Sequence, residues 1–336
     1  PTSLNPQPHK EEKNTPAASQ VIPPHHKESA HHPARNAVEH NKKAEPLDAL
    51  NPEQFQAVTA PEPTVAVIAG PGTGKTKTLI SRILYLVERL GVKPGEITAV
   101  TFTRQAAQEM RDRLQYALTD TRAISSIHIG TFHSICMELL EKSKKPVILA
   151  TRDEELETAQ EILDTFSMKL SPSAFMQDIS RMKNGMTPDH EAVSEQMKKA
   201  YCQALSKRGL SDFDDLLHDV LLLWTEGKPG KPLTAWFQYL LVDEFQDINA
   251  VQYQLVHAWH HKGKSLFVIG DPDQSIYGFR GSKPACFDEL AQDIPKLREI
   301  YLTQNYRSTP EILGSALAVI SQYGEKRELR PHQSKG

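Results

Sequence analysis

The chain has 336 residues, 39% of them hydrophobic and 24% charged, with a formal net charge of -3. That length allows two compact units and a tail, while the charge excludes a global basic field, so any contact with nucleic acid has to come from a local patch or groove. No apolar run approaches the roughly 18–20 residues that span a bilayer, and the N-terminus has no signal-peptide layout, so a cytoplasmic protein without a membrane segment is expected. The three cysteines, Cys136, Cys202 and Cys286, match neither a zinc ribbon nor a disulfide framework and read as reduced and packed.

Residues 1–46 hold eight of the 23 prolines and six of the 14 histidines, with six Lys/Arg against five acids and almost no large apolar side chains. Such a stretch cannot bury a core and reads as a disordered Pro/His-rich linker. The pairs His25/His26 and His31/His32 have metal-ligand chemistry but lack cysteine partners and a rigid frame. The chain starts at Pro1, which leads us to expect a fused domain upstream. From Leu47 onward short apolar runs each lead into a helical pattern, at 65–70, 97–102, 127–132, 239–244, 265–270 and 298–302. Continuous apolar strands alternating with helices predict an α/β fold, a parallel sheet covered by helices on both faces. Between Ser143 and Arg208 the alternation lapses into amphipathic stretches with turn signals, which predicts an inserted all-helical subdomain over 143–208.

Gly70-Pro71-Gly72-Thr73-Gly74-Lys75-Thr76 fits G-x-x-x-x-G-K-[ST], with an apolar strand before it and a helical pattern after it. Backbone N–H groups of such a loop curl around phosphate oxygens at a helix N-terminus, where the dipole favours anions. Lys75 is expected to reach the β- and γ-phosphates and Thr76 to ligate magnesium. Tyr239 to Val242 reads as a buried strand ending in Asp243-Glu244. Asp243 is placed to hold magnesium and Glu244 to orient and deprotonate a water, since one acid must stay a cation partner while the other handles a proton. A further strand ends at Gly270-Asp271, which puts Gln274 near the γ-phosphate. Tyr277, Phe279 and Arg280 then follow; they read either as a stacking surface for unpaired bases or as a core cluster. Asp212, Asp214 and Asp215 in DFDDLL resemble metal ligands, but acids before DLLHDVLLLW fit a helix start better.

These blocks, in this order, resemble the UvrD/PcrA/Rep-like superfamily 1 DNA helicases, from Leu50 to about Pro331. The blocks are LNPEQ, AGPGTGKT, TFTRQAAQEM, GTFHSICMELL, DFDDLL, LLVDEFQD, GDPDQSIYGFRGS and QNYRST. The resemblance implies a RecA-like P-loop NTPase domain over 47–142 and 209–310, with the helical insertion at 143–208 and a tail or the start of a second motor domain at 311–336. It implies ATP and Mg2+ as cofactors and single-stranded DNA and ss/ds junctions as partners. Gln54 matches the family's adenine-reading glutamine, Gln274 its γ-phosphate sensor, Arg307 a second γ-phosphate contact, and Tyr306 the aromatic that stacks on adenine. Lys77 stands near the base where relatives carry arginine. Phe102, Thr103, His133, Tyr277 and Phe279 match positions along the single-strand path, and Arg280 links that path to the nucleotide.

Departures are Arg104-Gln105 in place of Asn-Lys, Phe279 in place of tryptophan, Gly278 before it, and Phe55 interrupting a double glutamine. The chain ends about 30 residues past QNYRST, so the second motor domain is expected beyond it. Without that domain's arginine finger, a loss of about 10³–10⁵ in rate, the chain is expected to bind ATP-Mg weakly and turn it over slowly. The resemblance implies 3′→5′ translocation and unwinding in repair or replication. The motor part of a helicase-nuclease and a nucleotide-gated DNA-binding scaffold remain alternatives.

Overall fold

Six apolar runs of the sequence become the six strands of one parallel sheet in the computed structural model, which describes residues 47–334 apart from 146, 228, 279–280, 283–284 and 323–327. The linker expectation for 1–46 and its histidine pairs lie outside the described residues, as do Phe279 and Arg280. The strands are β1 (Thr64–Ala69), β2 (Ile97–Thr101), β3 (His128–Thr131), β4 (Tyr239–Val242), β5 (Ser265–Gly270) and β6 (Arg298–Leu302). Their order is β3-β2-β4-β5-β1-β6, with every neighbouring pair parallel. This is the α/β sheet that the RecA-like class requires. Because only β5 lies between β1 and β4, the loops leaving those two strands are about 10 Å apart, two strand spacings.

Helices α1 (Pro52–Thr59), α2 (Lys75–Leu84), α3 (Arg104–Ala117) and α4 (Phe132–Lys142) alternate with the first three strands. The period of two in each strand divides the core into two layers. Val65, Val67, Ala99, Leu241, Phe267 and Ile269 pack with Leu79, Ile83, Met110 and Leu114. Ala66, Ile68, Val100, Leu240, Val242 and Val268 face the opposite layer, with Ile135, Leu139, Leu216, Val220, Leu255 and Trp259. Burial on both faces is why the strands read as unbroken apolar runs rather than alternating ones. The run at 127–132 stops one residue early as a strand, because Thr131 accepts the Ser134 N–H and Phe132 already starts α4.

The insertion consists of α5 (Arg152–Thr165), α6 (Pro172–Lys183) and α7 (Glu195–Lys207) around a separate apolar cluster that includes Leu163, Phe175, Ile179, Met197, Tyr201 and Leu205. Each helix opens on a side-chain cap, Thr151, Ser171 and Ser194 respectively. At its neck the two crossing strands of chain touch: Ala150 N–H donates to Ser211 O at 2.9 Å and Ser211 N–H to Ile148 O at 3.0 Å.

The chain then continues through α8 (Asp215–Thr225), α9 (Lys231–Ala235), α10 (Ala250–His260), α11 (Cys286–Asp293) and α12 (Pro310–Ile320). Asp214 at the N-cap position of α8 makes no side-chain cap bond, but Asp212 Oδ1 accepts from the N–H of Asp215, the first residue of the helix, at 3.0 Å. The DFDDLL acids also do something the helix-start reading misses. Lys183 at the end of α6 is buried and donates to Asp212 at 2.5 Å and Asp215 at 2.6 Å, while Asn184 donates to Asp214 at 2.9 Å. The block therefore bolts the insertion to the sheet domain. Burial opposes the ammonium of Lys183, yet Asp212 and Asp215 outweigh it and hold its pKa above the ordinary lysine value. Among the described residues no cluster of three or more His, Cys, Asp or Glu has the arrangement of a metal cage, and the three cysteines are free thiols. No helix among them is long and apolar enough to cross a membrane.

Candidate nucleotide site and nucleic-acid track

The phosphate-loop sequence leaves β1 and enters α2 at Lys75, as its spacing predicts. The loop closes on itself, with Thr73 Oγ1 donating to Gly70 O at 2.7 Å. Gly72 has φ of +69°, and a Cβ there would lie 2.6 Å from Arg307 Cβ and 2.9 Å from Asn305 Nδ2. Only glycine satisfies both the left-handed backbone and that approach. Lys75 Nζ lies 3.5 Å from Ala69 O and 3.8 Å from Glu244 Oε2, so the cation of the loop faces the acid at the end of β4. Thr76 is the second residue of α2, beside it.

Asp243 and Glu244 follow directly on β4. Asp243 N–H donates to Val100 O at 2.9 Å, which extends the pairing with β2 by one residue, and its Oδ1 accepts the Glu244 N–H at 3.0 Å. Glu244 then turns into the left-handed region, φ +47° and ψ +49°, a conformation costing a non-glycine residue roughly 1–3 kcal/mol. Burial pushes Asp243 up to about 7, with the charge of Glu244 adding to the rise and Lys75 opposing it. Burial and Glu244 likewise push Asp247 up to about 6. Three carboxylates thus crowd one ammonium, and the set is short of positive charge. Hard carboxylate and hydroxyl oxygens, with one carboxylate deeply buried, are donors that suit Mg2+, which is held by one or two carboxylates together with phosphates and needs no all-protein cage.

Beside the loop, Asn51 caps α1 and its Nδ2 donates to the Tyr306 hydroxyl at 2.8 Å. Lys77 Nζ donates to Ala49 O at 2.7 Å. Gln54 lies 2% exposed under the loop, its Nε2 donating to Thr73 O at 2.8 Å and its Oε1 accepting the Asn51 N–H at 3.2 Å. It therefore braces the loop. The QNYRST segment docks on the same loop: Tyr306 N–H donates to Gly72 O at 2.8 Å, and the buried Asn305 donates to Pro71 O at 2.6 Å while accepting from Arg307 N–H and Ser308 N–H. The fold thus brings Tyr306 and Arg307 to the nucleotide loop from more than 230 residues away.

A separate cavity of about 430 Å³ is lined by Phe102, Arg104, His133, Asn184, Phe213 and Asn249, among others. Phe102 meets Tyr277 at 4.7 Å between ring centroids, and His133 stacks on Phe213 at 4.0 Å with planes 15° apart. Burial lowers His133 to about 4, partly offset by Asp214, so its ring is neutral at pH 7 and packs as an aromatic. Thr103 is the N-cap of α3, its Oγ1 accepting from Ala106 N–H at 3.0 Å. Of the track candidates, Phe102 and His133 line this cavity and Tyr277 packs on Phe102, while Thr103 serves the helix. Phe213 was missed because it sits within an acidic block read only as a helix start.

Two further residues were hidden inside motif blocks whose other members carried the argument. Gln246 donates from Nε2 to Glu244 Oε2 at 2.8 Å and accepts at Oε1 from Asp271 N–H at 2.9 Å. Asp271 in turn accepts at Oδ2 from Gln274 Nε2 at 2.5 Å. Gln274 is therefore tied to the acid pair through two buried intermediaries.

A family profile described as UvrD/REP helicase N-terminal domain matches residues 50–295. The ATP-dependent DNA helicase PcrA of Staphylococcus epidermidis is 34% identical over 300 residues, covering 83% of this chain and 41% of that protein. The protein of the same name from Staphylococcus aureus is 34% identical over 303 residues, covering 84% of this chain and 41% of its own length. The chain spans about two fifths of the length of these curated relatives.

Proposed function

The chain belongs to the UvrD/REP helicase N-terminal domain family, and from that premise we propose that it is the ATP-binding motor domain of an ATP-dependent DNA helicase that translocates 3′→5′ on single-stranded DNA. In this reading residues 47–142 and 209–310 form the ATP-binding unit, 143–208 its helical insertion, and 311–336 the approach to a second motor domain. Repair or replication in the cytoplasm is the setting, with ss/ds junctions as the substrate. The observation that carries the proposal is the facing pair Lys75 and Glu244, 3.8 Å apart on the loops that leave β1 and β4.

The chemistry follows from the side chains. Lys75 and the loop N–H groups neutralise the β- and γ-phosphates. Glu244 orients the attacking water and takes its proton. Thr76 and Asp243 would hold Mg2+, which when bound neutralises charge developing on the phosphates. Gln274 and Arg307 contact the γ-phosphate, Tyr306 stacks on the adenine, and Gln54 and Lys77 border the base. Phe102, His133 and Tyr277, with Phe279 and Arg280, hold unpaired bases and backbone through aromatic faces and charge, which tolerates any sequence.

Single-turnover hydrolysis of ATP by excess protein, with and without a short oligo-dT, tests the proposal. Stimulation by the oligonucleotide and its disappearance in Lys75→Ala are expected. Hydrolysis indifferent to the DNA, or surviving in Lys75→Ala, contradicts it.

A further inference from the structure

We infer that Gln246 and Asp271 are positioning residues that report the γ-phosphate contact of Gln274 to the water-activating Glu244. The inference rests on the roles proposed above for those two end residues. Its geometry is a continuous run of hydrogen bonds. Gln274 Nε2 donates to Asp271 Oδ2 at 2.5 Å, Asp271 N–H donates to Gln246 Oε1 at 2.9 Å, and Gln246 Nε2 donates to Glu244 Oε2 at 2.8 Å.

Both intermediaries are almost fully shielded, Gln246 at 2% and Asp271 at 1% exposure. A buried side-chain amide is stable only when its polar atoms are matched, so Gln246 has one arrangement here and cannot drift from Glu244 without leaving Asp271 N–H unpaired. The neighbouring backbone is shaped for this contact. A Cβ at Gly270 would lie 2.2 Å from Gln246 Oε1, so any larger residue at the end of β5 would expel the amide. Ser275 Oγ donates to Gln246 O at 3.1 Å, which fixes the main chain of the same residue to the loop that carries Gln274.

Glu244 needs such a brace. Its left-handed backbone is a strained conformation that persists only when surroundings over-determine it. Its second partner, Lys75, lies at 3.8 Å, a distance that leaves the carboxylate orientation loosely defined. Gln246 is thus the group that sets the direction of Oε2. When Gln274 shifts to meet a γ-phosphate, Asp271 and then Gln246 shift with it, so the base is aligned with ATP bound and released with ADP. A misplacement of the order of 1 Å at a reacting group costs about 10²-fold in rate.

The test is a double-mutant cycle on single-turnover ATP hydrolysis in the full chain, with Mg-ATP and Mg-ADP affinities measured from a fluorescent nucleotide titration. Gln246→Met keeps the volume and removes all three side-chain hydrogen bonds, to Glu244 Oε2, to Asp247 Oδ2 and from Asp271 N–H. It is expected to slow hydrolysis at least about 10-fold with both affinities within about twofold of wild type. In a Gln274→Ala background the same change is expected to slow it by less than about threefold, because the linkage is already cut. Multiplicative effects of the two substitutions, or an unchanged rate in Gln246→Met, overturn the inference. If Gln246→Met melts well below wild type, Asp271→Ala takes its place, since it removes the carboxylate that accepts from Gln274 Nε2 and leaves the Asp271 N–H bond to Gln246 in place. Asp271→Ala is expected to match Gln274→Ala in rate, and a wild-type rate overturns the inference. Glu244→Gln run alongside separates the two readings. Undiminished hydrolysis there overturns the role of Glu244 and the relay with it, whereas lost hydrolysis there with an unaffected Gln246→Met overturns the relay alone.

Discussion

Replacing Lys183 by methionine removes the cation from a buried site shared by two carboxylates. Its side chain is 4% exposed, those of Asp212 and Asp215 are 11% and 22% exposed, and the contacts are 2.5 and 2.6 Å. Breaking a buried pair by deleting one partner costs about 3–5 kcal/mol, because the remaining charge is left uncompensated. Backbone donors soften the loss here, since Asp215 N–H and Asp212 N–H each bond the opposite carboxylate, at 3.0 and 3.1 Å. A value near 3 kcal/mol is therefore expected, read from the urea midpoint at pH 8 by circular dichroism. The sign of its pH dependence is fixed. Burial and the neighbouring carboxylate charge hold Asp212 above its ordinary value even against the pull of Lys183, so without the lysine the penalty is complete at high pH and shrinks as pH falls and Asp212 takes a proton. At pH 5 the deficit should be clearly smaller, and Lys183→Met combined with Asp212→Asn and Asp215→Asn should recover most of the stability. A loss below about 1 kcal/mol at pH 8, or one that grows on acidification, would refute the reasoning.

Two other outcomes follow from local geometry. Gly72→Ala must place a Cβ 2.6 Å from Arg307 Cβ on a backbone at φ +69°, so nucleotide affinity should fall at least about 30-fold, equivalent to about 2 kcal/mol; a titration within threefold of wild type would show that the loop tolerates the displacement. His133 is held at about 4 against an ordinary 6.5 by burial, so the unfolded chain binds its proton first and stability is lost as pH falls from 6.5 towards 4, by about 2–3 kcal/mol at pH 4.5. His133→Phe keeps a ring against Phe213 and should show a correspondingly flatter dependence of the urea midpoint between pH 7 and 4.5; equal slopes in the two proteins would contradict the assignment.

The strands were legible because a sheet buried on both faces demands unbroken apolar runs, and all six runs became strands within two residues of their expected ends. The phosphate loop was legible because its chemistry is local: glycines, Lys75 and Thr76 sit on seven consecutive residues. What escaped was long-range hydrogen bonding by ordinary polar residues. Asn305 bonds Pro71 across 234 positions, and Gln246 bonds Asp271 across 25, with nothing in either side chain to announce a partner. The acids of DFDDLL were visible, but their counter-ion Lys183 lies 29 residues upstream, at the end of α6. Periodicity reports which face of an element is buried; it does not report which buried amide or ammonium meets which acid.

The central claim is that Lys75 and Glu244 face each other as the binding and water-activating halves of one ATP site. The most direct measurement compares fluorescent-ATP affinity with single-turnover hydrolysis in Glu244→Gln, with oligo-dT present. Affinity within about threefold of wild type, together with hydrolysis reduced at least about 100-fold, is the predicted result. Hydrolysis at the wild-type rate, or binding lost in parallel with it, would contradict the account.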